Sequence, residues 1–138
     1  MRQHSSHRSD RSGTEGVVRT VRRLLAIPGI QACQPSDAAI EWTLESGKGS
    51  PSISLVKAKG SGIAKQHDRY SPGLHYLAWA ADSREDVDRL YALLVEIKAD
   101  VLDAPADYPQ YNKGCGYYAV FFTDADGLKL ECVFTPPR

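Results

Sequence analysis

Apolar positions change their spacing along the chain, and each change predicts an element. In residues 17–27 (VVRTVRRLLAI), Val17, Val18, Val21, Leu24 and Leu25 fall on one side at helical spacing, with arginines opposite. Pro28-Gly29 ends that helix, because proline disfavours the helical basin for Ile27 and glycine permits a left-handed turn. The period then shortens. Ile30 to Cys33 is a brief apolar run, Ala39 to Leu44 alternates, and Ile53 to Lys57 follows a Gly- and Ser-rich turn. These predict three short strands joined as hairpins.

The second half opens with a strand over Leu74–Ala80. Next comes a capping-box start, with Glu85 three residues after Asp82 or Asp86 three after Ser83. The helix it begins buries Val87, Leu90, Tyr91, Leu94 and Ile97 and stops near Ala99. Val101-Leu102 predicts a short strand, Pro105 to Gly116 a loop holding Tyr108, Tyr111 and Cys115, and residues 117–134 a closing hairpin. The hairpin turns at Asp-Ala-Asp-Gly, where glycine accepts positive φ and the aspartates bond their own backbone.

One residue on that hairpin needs a reason. Alternation sets Lys129, Glu131 and Val133 on one face and Leu128, Leu130, Cys132 and Phe134 on the other. A carboxylate in the middle of an apolar strand either points to water or is held by a cation or a metal. Glu131 is therefore the leading candidate for chemistry.

The order of elements predicts an α+β fold of paired βαβββ modules, the first lacking its leading strand or having a weak one. It excludes a doubly wound parallel sheet, which would alternate strands and helices throughout. Residues 1–15 read as a polar tail or degenerate first strand, 16–60 as the first, partial module, 61–72 as a connector, and 73–138 as the second module.

Composition narrows the function classes. Lysine plus arginine and aspartate plus glutamate are 17 each, which gives no electrostatic footprint for nucleic acid or an acidic membrane. No apolar run approaches membrane-spanning length. Cys33, Cys115 and Cys132 are odd in number and lack CxxC spacing, which predicts reduced thiols in a cytoplasmic protein.

Three stretches together carry a family resemblance: Gly73-Leu74-His75-Tyr76-Leu77-Ala78-Trp79, then Asp82-Ser83 with Val87-Asp88-Arg89-Leu90-Tyr91, and Tyr117 to Val133 with Asp-Ala-Asp-Gly-Leu-Lys-Leu-Glu. In these the chain resembles the vicinal oxygen chelate superfamily of glyoxalases, bleomycin-resistance proteins and extradiol dioxygenases. The resemblance implies a cup-shaped mixed sheet around a small-molecule site. In the metalloenzymes it implies a divalent cation (Zn, Ni, Fe, Mn or Co) held by His and Glu side chains. Glu131 matches the family's carboxylate ligand. The ligand histidine that would directly precede Leu77 is here Tyr76. His75 stands one place early and points to the opposite face, so it reaches the site only through a one-residue bulge. His4 is the metal-ligand candidate on the leading strand, if residues 2–8 form one.

Two functional readings follow from the resemblance. One is a metal-dependent isomerase, lyase or dioxygenase with Glu131 as ligand or general base, Tyr76 beside it, and Arg69, Tyr70 and Tyr118 shaping the pocket. The other is a metal-free binding protein whose pocket is lined by Tyr76, Trp79, Tyr108, Tyr111, Tyr117 and Tyr118. A third reading sets the resemblance aside and treats Glu131 as half of a salt bridge to Lys129 or an arginine in a small α+β interaction domain. A cup short of one strand exposes an edge, which predicts a homodimer.

Overall fold

The structure, a computed structural model, describes residues 52–137 together with the strand segments 30–32 and 39–44. The predicted first helix, the polar segment 1–15 and His4 lie outside the described residues. The chain divides into two units, one ending at Val56 and the other beginning at Lys57.

In the first unit, β1 (Ile30–Ala32), β2 (Ala39–Leu44) and β3 (Ser52–Val56) form an antiparallel sheet in that order. Ile30 pairs with Leu44, and Ala39 with Val56. These are the three hairpin-connected strands that the alternating pattern predicts.

The second unit is a complete βαβββ module. It runs β4 (Leu77–Ala80), α1 (Arg84–Glu96), β5 (Asp100–Asp107), β6 (Tyr118–Thr123) and β7 (Lys129–Phe134). The mixed sheet has the order β4-β7-β6-β5, with β4 and β7 parallel and the other neighbours antiparallel. A crossover helix is what a parallel β-connection requires. The last strand in sequence therefore lies inside the sheet, between the first and third strands of its module. That position buries Leu130, Glu131 and Cys132 on both faces at once.

Of the two possible capping boxes, the second forms. Ser83 is the N-cap and its hydroxyl accepts from the Asp86 N–H, while the Asp86 carboxylate accepts from that hydroxyl. Val87 and Leu94 are fully buried and seat the helix on the sheet. Helix α1, Val120, Phe122, Leu130 and Cys132 make up the core of this unit.

Two sequence expectations are corrected. The strand predicted from Leu74 begins only at Leu77, because side chains hold the segment before it in a loop. His67 Nε2 donates to the Leu74 carbonyl at 3.0 Å, and His75 Nδ1 donates to the Arg69 carbonyl at 2.9 Å. The strand predicted at Val101-Leu102 extends to Asp107, through Pro105. Proline is tolerated there because β5 is an edge strand, and register irregularities absorb its missing donor.

The β6–β7 turn is fixed as the sequence predicts. Asp124 Oδ1 accepts from the N–H groups of Asp126 and Leu128 at 2.9 and 2.8 Å, and Gly127 has φ of +83°. Gly127 has a second reason to lack a side chain. A Cβ there would lie 3.3 Å from Gln66 Oε1 and 3.6 Å from the His67 carbonyl oxygen. The loop before β4 thus closes on the turn, and the His67 N–H donates to the Asp126 carbonyl at 2.7 Å. Among the described residues no helix is long and apolar enough to cross a membrane.

Candidate functional site

Strand register decides which side chains meet Glu131. It pairs with Phe121 on β6 and Ala78 on β4, so these three share a face with Lys129, Val133 and Ala119. Helix α1 covers the opposite face. Glu131 is 1% exposed, the one charged residue in the described core. Its carboxylate accepts a hydrogen bond from the Tyr117 hydroxyl. Among the described residues the partner of this carboxylate is a phenol.

The loop between β5 and β6 delivers that phenol. The sheet ladder continues past the strand ends, with the Tyr108 N–H donating to the Tyr117 carbonyl at 2.8 Å. The chain then tightens through the turn at Asn112–Gly114, and the Asn112 side chain holds the Gly116 carbonyl at 3.0 Å. Tyr108, Tyr111 and Tyr117 converge as a result. Tyr108 and Tyr111 stack with centroids 5.8 Å apart, Tyr111 meets Tyr117 edge-on at 5.1 Å, and Tyr108 meets Phe121 edge-on at 5.3 Å. These are ordinary aromatic-pair geometries.

The phenols are electrostatically tuned. Burial, then the hydrogen bond and negative charge of Glu131, push the Tyr117 hydroxyl far above the usual tyrosine range. Burial raises Tyr108 as well, reinforced by the charge of Asp103 and by Tyr111 and Glu131. Both stay protonated at neutral pH, and Tyr117 acts as donor to the carboxylate.

Lys129 completes the face. Its ammonium lies 4.4 Å from the centroid of Phe121 and 5.6 Å from that of Tyr76, within cation–π range. Tyr76 therefore joins the site through Lys129, and is itself 41% exposed.

The other sequence candidates lie elsewhere. Tyr118 faces helix α1: its hydroxyl donates to Asp88 Oδ1 at 2.7 Å, and the Arg84 guanidinium sits 4.5 Å over its ring. Arg84 is held in turn by a two-pronged bond to Asp107. Arg69 and Tyr70 belong to the loop before β4, where Arg69 lies over its neighbour's ring and donates to that tyrosine's hydroxyl at 3.0 Å. That loop is organised by Asp68, which accepts from the Tyr70 N–H and the Ser71 hydroxyl and is held below the usual carboxylate range by those bonds. His75 stands edge-on between Tyr70 and Tyr76, with no bulge bringing it onto the strand.

The sequence reading sets Tyr117 among the pocket rings, but it discloses neither the Tyr117 bond to Glu131 nor the seat of Lys129 over Phe121 and Tyr76. Tyr117 precedes its strand and meets Glu131 only through the register of β6 on β7. Lys129 carries the one usable signal, its place two residues before Glu131 on the same face.

The donor set bears directly on the metal that the resemblance implies. Among the described residues no three His, Cys, Asp or Glu side chains come together. A catalytic metal takes about three protein ligands. Among the described residues the groups set beside Glu131 are the Tyr117 phenol and the Phe121 ring, and these alone do not make up such a set.

Comparison with known proteins places this architecture. Residues 22–132 match the model of the Glyoxalase/Bleomycin resistance protein/Dioxygenase superfamily, and the chain belongs to that family. It is 34% identical over 79 residues to the uncharacterized protein YqjT of Bacillus subtilis (strain 168), covering 57% of this chain and 60% of that relative. The chain thus spans less than two thirds of that relative's length. Among solved structures it is similar to a Bacillus halodurans protein provisionally described as a glyoxalase, at 27% identity and a TM-score of 0.67, covering 87% of this chain and 86% of that one. A glyoxalase/bleomycin resistance protein from Albidiferax ferrireducens T118 shares the fold, at 17% identity and a TM-score of 0.63, covering 87% and 89% of the two chains.

Proposed function

We propose that this family member binds a small organic molecule on the Glu131 face of the second unit's sheet. The carboxylate of Glu131, set in place by Tyr117, is its polar centre, and Tyr108, Tyr111 and Phe121 give it apolar area. The observation that carries this reading is a carboxylate 1% exposed whose partner is a phenol, set among aromatic rings. A buried carboxylate costs several kcal/mol unless satisfied, on the order of 1–3 kcal/mol even for a single lost hydrogen bond. Retaining one amid rings that would make a sound apolar core supports a ligand-directed role.

Among the described residues the donor set favours metal-free binding over the metal-dependent isomerase, lyase or dioxygenase reading. A mixed fragment library screened by thermal shift against wild type and Glu131→Gln tests it. Hits that raise the wild-type melting temperature and fail with the variant are expected. Stoichiometric uptake of Zn, Ni, Fe, Mn or Co, with turnover of the methylglyoxal–glutathione adduct or a catechol, would overturn it in favour of the metalloenzyme. A homodimer belongs to the same reading, motivated by the exposure of Tyr70, Leu74 and Tyr76. Light scattering that returns the monomer mass would remove it.

A further inference from the structure

The segment from Tyr108 to Tyr117, which brings the phenol to Glu131, is built unlike the rest of its module. Its neck is one backbone bond, from the Tyr108 N–H to the Tyr117 carbonyl at 2.8 Å. Three further backbone bonds close on the segment itself. The Tyr111 N–H donates to the Tyr108 carbonyl at 3.0 Å, Gly114 to Tyr111 at 3.1 Å, and Cys115 to Asn112 at 3.0 Å. These bonds shape the loop without fastening it to the sheet. Its backbone is also strained. Asn112 and Lys113 are consecutive non-glycine residues at φ of +50° and +53°, followed by Gly114 at +75° and Gly116 at +98°. Asparagine visits the left-handed region readily, but lysine does so at a cost.

Strain of this kind persists only where surrounding contacts hold it. Residues 109–111 and 113–115 are exposed, so the holding contacts come from the inner side. There the Tyr117 hydroxyl bonds to the Glu131 carboxylate, and the Tyr108 ring meets Phe121 edge-on at 5.3 Å. Gly116 packs against the end of the chain, where a Cβ would stand 3.0 Å from the Pro136 ring. With these contacts made, Glu131 is 1% exposed. A ligand reaches that carboxylate only if they give way.

We propose that Tyr108–Tyr117 is a strap, strained when closed and latched by the Tyr117–Glu131 bond, whose opening uncovers the Glu131 carboxylate. Closed, the phenol satisfies the buried acceptor; open, water takes the place of the phenol. The charge has a partner in both states, which keeps the two close enough in free energy to interconvert. The change is conformational, with no covalent step. This inference rests on the binding reading above and supplies the route by which a ligand meets a carboxylate that the closed strap buries.

Opening is read on the full chain with no ligand present. Carbodiimide coupling of glycine ethyl ester to Glu131, followed by peptide mass spectrometry, reports when the carboxylate is uncovered. Amide hydrogen exchange of β6 in the same urea series reports global unfolding. Local opening exposes little surface, so coupling at Glu131 is expected to stay flat in low urea while β6 exchange accelerates. Tyr117→Phe removes the latch and should speed coupling by about tenfold or more, still flat in urea. Lys113→Gly relieves the left-handed strain and should slow it by about threefold or more. The strap is overturned if Glu131 coupling in wild type rises with urea in parallel with β6 exchange. It is equally overturned if Tyr117→Phe leaves the rate unchanged or if Lys113→Gly fails to slow it. Glu131-dependent library hits on a protein whose strap never opens would overturn this inference and leave the binding reading standing. A strap that opens as described, with no such hit, would stand while the binding reading falls.

Discussion

The Tyr117 hydroxyl donates to the carboxylate of Glu131, joining the loop that follows β5 to β7, one of the two inner strands of the sheet. The bond spans 14 residues of sequence, and two further tyrosines shelter it. Removing its donor strands a buried acceptor. Tyr117→Phe is expected to destabilise the fold by about 1–3 kcal/mol. Combined with Glu131→Gln it should cost less than the sum of the single changes, with a coupling of about 0.5–3 kcal/mol. Urea denaturation of the four proteins checks this. Strict additivity would mean that the two side chains do not share a bond in solution.

Stability should fall on the alkaline side, and the sign follows from the direction of the shift. The Tyr117 hydroxyl is raised in the folded state, so above the ordinary tyrosine range, at about pH 10, the unfolded chain loses a proton that the folded chain keeps. Its contribution is complete below that pH and is lost as pH rises toward the folded value. Denaturation midpoints across alkaline pH should therefore decline more steeply for wild type than for Tyr117→Phe. Parallel profiles would contradict the assignment.

The two described cysteines should differ sharply in reactivity. Cys115 is exposed, whereas Cys132 is buried under the helix, and burial pushes its thiol up to about 11. Thiolate is the reactive form, so at neutral pH Cys132 is both inaccessible and protonated. In a Cys33→Ser background, a thiol reagent is expected to label one site rapidly, and Cys115→Ser should abolish that phase. Fast labelling that survives Cys115→Ser would show that the core is open.

Gly127→Ala tests how the loop before β4 is held. The added methyl would meet Gln66 and the His67 carbonyl at a φ of +83°. A non-glycine residue in the left-handed region costs on the order of 1–2 kcal/mol before any displacement of the loop. Thermal melts should show the loss. Limited proteolysis should find new cleavage between residues 65 and 76, and an unchanged digestion pattern would count against this closure.

The sequence disclosed local structure well and pairings across the sheet poorly. The Ser83 cap, the buried stripe of α1 and the acidic β6–β7 turn depend on neighbours within a few residues, and the sequence pattern predicts each. Alternation also put Glu131 and Lys129 on one face. What it could not supply was the register of β6 on β7, which makes Tyr117 rather than Tyr118 the residue that meets Glu131. A shift of one residue exchanges the two faces, and adjacent tyrosines look alike in a sequence. The early loss of the strand at Leu74–Tyr76 was hidden for a similar reason. Its cause is His67 and His75 bonding to backbone carbonyls, contacts that span six and seven residues.

The outer strand β5 has a consequence for how this protein meets others. Its sequence, DVLDAPAD, spaces Asp100, Asp103 and Asp107 along an edge that also carries Pro105 and broken register. A second strand laid alongside in a like pairing would bring aspartates against aspartates and find a missing N–H at the proline. That side of the sheet is guarded against fibre-like growth. A chain that folds slowly or crowds at high concentration is protected on this side by charge and by backbone geometry, with no covering element needed.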